Sequence, residues 1–251
     1  MTSLSTEPAF PKRALEALLD IFFPRVCLVT GKFPGDSPYR FLSKEGRETL
    51  TIIGGDACPT CGAPRGNMTL VHGECVFCRD RKYHFGRSLS AVVFDAPARA
   101  MVHAVKYRGV RAAASDLAAI ASESAIFSRH LENAVLVPVP LFRKQKNRRG
   151  YNQSLLFARE LSRRISGTRV EELLVRTRDT GTQTKLGAED RRRNVRHAFA
   201  VPEKLLGKIS AAARYVVIDD VFTTGSTLSE CARALKKAGA TNIDAATFAH
   251  G

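Results

Sequence analysis

The chain has 251 residues, 44% hydrophobic and 25% charged, an ordinary balance for a soluble globular protein of one good-sized domain with a small appendage. No apolar run approaches the ~20 residues needed to cross a bilayer, and residues 1–10 contain Glu7 and lack the basic and apolar stretches of a secretory signal, so membrane insertion is excluded and a cytoplasmic location is expected. Lys and Arg outnumber Asp and Glu 39 to 24, a net charge of +15, and the excess lies almost wholly in residues 86–251, with 28 basic against 15 acidic groups; this favours anionic partners such as phosphorylated small molecules, nucleotides or a nucleic-acid backbone, with a merely solvated basic face as the alternative.

In chain order, residues 13–23 read as a short amphipathic helix, with Leu15, Leu18, Leu19 and Phe22 on one face and Pro24 as its stop. Residues 30–56 are rich in Gly, Pro and polar side chains and read as a long loop or weakly structured insert. Residues 57–85 carry two cysteine pairs. From about residue 88 the pattern alternates. Strands are expected at 89–94, 134–139, 170–175, 214–218 and 242–248, and helices at 96–107, 112–128, 152–166 and 227–238. Short apolar runs suit strands buried on both faces and the periodic segments suit crossover helices, which together predict an α/β fold with a parallel sheet. In 227–238 the stripe Leu228, Cys231, Ala232 and Leu235 faces inward, and Gly239 is placed to end the helix. The expected division is 1–85 for the helix and cysteine region and 86–251 for the α/β domain.

The most informative segment is 215–227, Tyr-Val-Val-Ile-Asp-Asp-Val-Phe-Thr-Thr-Gly-Ser-Thr. A buried strand delivers two adjacent acids, Asp219 and Asp220, to its carboxyl end, and a loop of hydroxyls and one glycine then opens a helix. Ligands of open parallel sheets bind at such strand ends. Free amides at a helix start attract phosphate, Gly225 allows close backbone approach, and Thr223, Thr224, Ser226 and Thr227 add small donors. Two carboxylates beside that loop can accept hydrogen bonds from neighbouring sugar hydroxyls, so the segment suits a ribose 5-phosphate group. Without the paired acids, Gly-Ser-Thr would read as a helix cap. The Gly-Lys-Ser/Thr of a nucleotide-binding P-loop is missing.

Three basic stretches accompany it. Five of residues 143–149 are basic, between a strand end and a helix, and Arg143, Lys144 and Arg148 or Arg149 are candidates to clamp a pyrophosphate. Residues 180–196 are polar, basic and glycine-containing, as in a mobile lid. Lys106-Tyr107-Arg108-Gly109 lies at a helix end. Each stretch taken singly also reads as a solvated charged face.

Cys58-Pro-Thr-Cys61-Gly62 and Cys75-Val-Phe-Cys78 make two C-x2-C units. Each pair can wrap one side of a tetrahedral ion, with a short hairpin between them, and four thiolates favour structural zinc, with iron as the alternative metal and a redox pair as the alternative chemistry. Cys27 has no second cysteine at its own x2 spacing, Cys231 lies on an apolar helix stripe, and His72 reads as a surface histidine, with a replacement metal ligand as the alternative.

The loop after 218 resembles the phosphoribosyl pyrophosphate (PRPP) site of type I phosphoribosyltransferases. The order Lys-Tyr-Arg-Gly (106–109), Val-Pro-Val-Pro (137–140), Arg-Gly-Tyr-Asn-Gln (149–153), then Thr180, Gln183, Leu186, Arg191, Asn194 and Ala198-Phe199, then the acidic loop, resembles the ComF (ComFC-like, competence protein F) family over about residues 14–250. The resemblance implies a type I phosphoribosyltransferase-like sheet flanked by helices, behind an amino-terminal zinc ribbon. It implies that Asp219 and Asp220 hold the ribose hydroxyls, that Thr223 to Thr227 hold the 5-phosphate, that Lys106, Arg143, Lys144 and Arg149 serve the site, and that Mg2+ accompanies PRPP. It also implies a part in uptake of transforming DNA. ComF proteins often carry another C-x2-C after the first helix, where this chain has Cys27-Leu-Val-Thr30. Two functions fit: a phosphoribosyltransferase, or a non-catalytic module that binds single-stranded DNA and uses the site to sense PRPP or a nucleotide. Contacts with proteins of the DNA-uptake machinery are a further expectation.

Overall fold

The computed structural model describes residues 25–64, 70–71, 74–180 and 193–251. The expected helix at 13–23, His72 and the middle of the 180–196 stretch lie outside the described residues. Among the described residues no helix is long and apolar enough to cross a membrane.

Five parallel strands form the central sheet, in the order β3 (Ser88–Val93), β9 (Asn242–His250), β8 (Arg214–Phe222), β4 (Val135–Pro138), β5 (Arg169–Val170). Alternation along β8 explains the run of apolar residues. Val216 and Ile218 face one core with α2 (Ala96–Tyr107), α3 (Ala113–Ser122), α4 (Ala125–Leu131) and α6 (Gln153–Ser162). Tyr215 and Val217 face a second core with α7 (Ser226–Lys237) and the cysteine region. In α7 the expected stripe Leu228, Cys231, Ala232 and Leu235 is buried, and Gly239 takes a φ of 103° just past the end. The connection after β4 therefore covers one face through α6, and the connection after β8 covers the other through α7. Adjacent strands whose crossovers part to opposite faces leave a crevice at their carboxyl ends, and here it lies between β4 and β8.

The expected strands at 89–94, 134–139, 214–218 and 242–248 and the helices at 96–107, 152–166 and 227–238 are present. Three expectations are corrected. The helix at 112–128 is two helices, because Ser124 leaves helical geometry (ψ 111°) and its side chain caps the amide of Phe127. The strand at 170–175 is interrupted: β5 ends at Val170, the amide of Leu173 turns back onto the carbonyl of Glu171, and the chain reappears as β6 (Val175–Arg176), paired with β7 (Phe199–Ala200). Residues 30–56 are not a loose insert. Tyr39, Leu42 and Leu50 enter the first core, the amides of Arg40 and Phe41 donate to Asp116 of α3, Lys44–Glu48 form the short α1, and the amides of Ile53 and Val93 bond to Ala91 and Thr51 across the outer edge of β3. That pairing also covers an edge strand that would otherwise stand open.

Candidate functional site: a crevice at the sheet's carboxyl edge and a four-cysteine knuckle

β8 outlasts its apolar run. Asp219 and Asp220 are still in the strand, held in register against Thr247 and its neighbours on β9, so their side chains are presented by sheet and not by a loop. Asp220 is 6% exposed and its Oδ2 takes a 2.7 Å ion pair from Lys106 Nζ, delivered by the last turn of α2. Asp219 is half-buried and its Oδ1 accepts from Ser154 Oγ at 2.8 Å and from the amide of Asp220 at 2.9 Å. Burial raises the Asp219 carboxyl, the charge of Asp220 adds to this, and the group is pushed up to about 7. Burial also works against ionised Asp220, yet Lys106 brings it below the usual carboxylate range. Among the described residues the one ion pair to these two acids is that of Lys106 with Asp220, and Asp219 is held by hydrogen bonds.

An acid whose folded pKa lies above its unfolded value binds an extra proton in the fold between the two values, so stability falls as pH rises through that window. For Asp219 the window runs from its ordinary 3.8 to about 7. Asp219→Asn should therefore melt higher than the parent at pH 8 by about 2–4 °C, corresponding to roughly 1 kcal/mol for a chain of this size, with no gain at pH 4. Equal melting temperatures at both pH values would mean that the second charge costs the fold nothing.

Past Phe222 the chain turns through Thr223, Thr224 and Gly225 into α7. Thr224 Oγ1 lies 2.9 Å from Ser226 Oγ and accepts from the Ser226 amide at 3.4 Å, and the amide of Ser229 donates to the carbonyl of Gly225. The first amides of a helix lack partners within the helix itself, which makes this start a place where an anion can bind. Gly225 has φ +69°, and a Cβ there would sit 2.6 Å from Phe222 Cζ and 2.8 Å from Tyr83 Cε1. Left-handed backbone costs a larger residue about 1–2 kcal/mol, and overpacking adds about 1–3 kcal/mol. Gly225→Ala should displace the turn and lower affinity for ribose 5-phosphate at least tenfold, read by calorimetry; wild-type affinity would show that the turn tolerates a side chain.

The other basic residues divide. Tyr151 Oη donates to the carbonyl of Val105, Arg111 lies over the Tyr151 ring at 4.6 Å, and Arg149 lies over the Tyr107 ring at 5.5 Å. Segments 106–109 and 149–153 thus meet beside the acids, with Asn152 Nδ2 donating to the carbonyl of Val139 to tie them to the end of β4. The stretch 143–149 is itself a helix, α5 (Arg143–Arg149), ended by Gly150 at φ 75°. Arg143 and Lys144 stand exposed on its first turn and make no hydrogen bond or ion pair with Asp219 or Asp220. Of the 180–196 stretch, the described ends sit at the β6–β7 pair, where Arg178 Nη2 donates to the carbonyls of Asn194 and Arg196.

Cys58, Cys61, Cys75 and Cys78 converge, their sulfurs all within 4.8 Å of one another, with 3.7 Å between Cys58 and Cys78 and 3.8 Å between Cys61 and Cys75. A tetrahedral ion with metal–sulfur bonds of about 2.3 Å sets its sulfurs about 3.8 Å apart, so the donor set fits. The two turns are built alike on backbone bonds, Gly62 amide to Cys58 carbonyl and Arg79 amide to Cys75 carbonyl, and the hairpin β1 (Leu70–Val71) and β2 (Glu74–Cys75) joins them. Gly62 (φ +76°) has Ser88 O 2.8 Å from where a Cβ would be, which presses the knuckle onto the start of β3. Cys27 lies apart, buried in the first core; burial opposes its ionisation, but bonds from Ser43 and Thr30 bring it down to about 7. Cys231 is in the second core, its thiol pushed well up by burial.

Sequence reasoning missed Ser154, Arg81, Tyr83 and His250. Ser154 directly follows the Arg-Gly-Tyr-Asn-Gln stretch and was within reach of a local reading. The other three act through contacts with residues more than 25 positions away in the chain, for which no local signal exists.

Residues 117–251 match the Phosphoribosyl transferase domain. The chain is 32% identical over 190 residues to the DNA utilization protein YhgH of Escherichia coli strain K12, covering 74% of this chain and 80% of that protein. It is 39% identical over 109 residues to Competence protein F of Haemophilus influenzae, covering 43% and 46%, and 26% identical over 208 residues to Competence protein ComFC of Bacillus subtilis, covering 77% of each. A parallel sheet ending in paired acids and a glycine turn, an amino-terminal four-cysteine knuckle and these matches agree: the chain belongs to the ComF-like family of phosphoribosyl transferase domain proteins.

Proposed function

We propose that the crevice between β4 and β8 binds PRPP or a related phosphoribosyl compound. The observation that carries this reading is the Asp219–Asp220 pair in strand geometry beside the Gly225 turn, with Lys106 the one ion-pair partner of the two carboxylates among the described residues. Ribose hydroxyls donate to the two carboxylates beside the contacts these already make, and the 5-phosphate takes the amides at the start of α7 with the hydroxyls of Thr223, Thr224, Ser226 and Thr227. Lys106 holds Asp220 ionised and adds positive charge at the rim. Arg149, with Arg143 and Lys144 on α5, faces the pyrophosphate.

As an enzyme the protein displaces pyrophosphate from the sugar's anomeric carbon with a nitrogen nucleophile. The sugar carbon gains positive character as the C–O bond breaks, and the pyrophosphate leaves with the electron pair. The chain's part is orientation and cationic stabilisation of the leaving group. Mg2+ would enter on the diphosphate, as this ion commonly does, and supply charge there. In the knuckle, zinc bound by Cys58, Cys61, Cys75 and Cys78 is structural, since four thiolates leave no open position.

A second reading, single-stranded DNA binding, is favoured by the exposed basic side chains of α5 and by Tyr107, 51% exposed beneath Arg149. The relatives' names, DNA utilization protein and competence protein, support a part in DNA uptake under either reading, and proteins of the uptake machinery are its proposed partners. The division into 1–85 and 86–251 and a cytoplasmic location belong to the same proposal. Titration with PRPP and Mg2+, followed by a pyrophosphate assay with candidate bases, separates the two readings when run beside single-strand affinity at several salt concentrations. Turnover supports the enzyme. Binding without turnover, with a log–log salt slope of about −0.7 per phosphate contacted, supports the module. Absence of PRPP binding would end both uses of the site.

A further inference from the structure

The segment leaving the four-cysteine knuckle does not run straight into the sheet; it first lies against the turn after β8. Arg81 Nη1 donates to the carbonyl oxygen of Thr224 at 2.8 Å, and Tyr83 Oη donates to the same oxygen at 3.2 Å. The amide of His84 donates to Ser229 Oγ in the first turn of α7 at 3.0 Å. Burial pushes the Tyr83 phenol up, which keeps it a donor. Its ring stacks on Phe85 (4.6 Å, 13°) and meets Phe222 edge-on (6.1 Å, 77°). The His250 ring lies parallel to Phe222 at 4.8 Å and is met edge-on by Phe77, one of the two residues between Cys75 and Cys78, at 6.0 Å.

Peptide geometry turns these contacts into an instruction. A trans peptide is planar, with its C=O and N–H pointing opposite ways. Two donors that hold the Thr224 carbonyl toward the knuckle therefore aim the Gly225 amide the other way. The carbonyl would otherwise repel an anion from this turn, and glycine by itself leaves the peptide free to rotate.

We propose that Arg81 and Tyr83 are positioning residues for the phosphate turn, and that metal binding at the knuckle and sugar-phosphate binding at the turn strengthen one another. This rests on the reading of the turn as a ribose 5-phosphate subsite. The knuckle fixes the path of residues 79–85, residues 81 and 83 fix the Thr224–Gly225 peptide, and coupling between two such sites is reciprocal.

The test uses the full chain, zinc, and ribose 5-phosphate as probe. Arg81→Met keeps the aliphatic bulk and removes the donors; it should lose about tenfold in affinity, the scale of one charge-assisted hydrogen bond, while retaining one zinc per chain and the parent's melting temperature. Arg81→Lys should recover most of the loss. Saturating ribose 5-phosphate should slow zinc release to a chromogenic chelator several-fold in the parent and not in the Arg81→Met, Tyr83→Phe double variant. Wild-type affinity in that double variant, or zinc release indifferent to ligand in a parent that binds it, would overturn the proposal. A parent that does not bind ribose 5-phosphate overturns the reading of the turn itself, and this proposal with it.

Discussion

Replacing Asp219 and Asp220 together by asparagine should weaken PRPP binding by at least about 100-fold while leaving the fold intact. Hydrogen bonds to charged acceptors are worth about 1.5–3 kcal/mol each, and the pair offers two ribose hydroxyls such acceptors. Asparagine keeps one acceptor oxygen but loses the charge and turns the other oxygen into an NH2 donor; forfeiting the low-end value at both positions amounts to about 3 kcal/mol, or a factor above 100. The fold tolerates the change because Ser154 and the amide of residue 220 can still donate to an amide oxygen at 219, and because the repulsion between the two adjacent carboxylates is removed. Lys106, left without its carboxylate, retains its exposed face. Calorimetric titration reads the outcome, with circular dichroism as the control. Affinity within threefold of the parent would show that the sugar does not contact these acids.

The second large effect is expected at the knuckle. Cys61 is fully buried within the second core and its sulfur is 3.8 Å from that of Cys75. Structural zinc in four-cysteine sites contributes apparent binding free energies of about 10–16 kcal/mol to the folded state. Cys61→Ser should therefore abolish stoichiometric zinc and unfold residues 57–85 at physiological temperature, and excess chelator should do the same to the parent. Zinc content by atomic spectroscopy and proteolysis near residues 65–80 report both events. Because Phe85 and the cysteines share a core with Val217, Leu228 and Cys231, the melting temperature of the sheet domain should fall as well. A Cys61→Ser protein with one tightly held zinc and the parent's melting curve would exclude a four-thiolate site.

The sheet strands were legible because burial on both faces writes a continuous apolar run, as at 214–218 and 134–139, and little else in a soluble protein does so. Helix 96–107 was legible to the residue because Asp95 caps it and Gly109 follows it. The errors share one cause. Helical periodicity continues through 112–128 although Ser124 breaks it, because a cap competes locally with the helix without disturbing the spacing of apolar residues. Residues 30–56 lack a period and still pack, since their order comes from Asp116 accepting two amides and from pairing with β3, contacts to residues about 40 to 75 positions away.

The same division runs through the site. The chemistry of the phosphate turn and of the cysteine pairs is contained in residues close together in the chain: a strand, two acids, a glycine turn and a helix in one case, two tight C-x2-C turns in the other. Short-range backbone geometry suffices to shape these, so they are written in the sequence itself. Which lysine neutralises which acid, which serine bonds to Asp219, and which arginine turns the Thr224 peptide depend on how α2, α6 and the segment after the knuckle pack on the sheet. Lys106 and Asp220 are 114 positions apart, and Arg81 and Thr224 are 143 apart. Such pairs meet through the summed packing of two cores, a property of the assembled layers that no stretch of neighbouring residues carries.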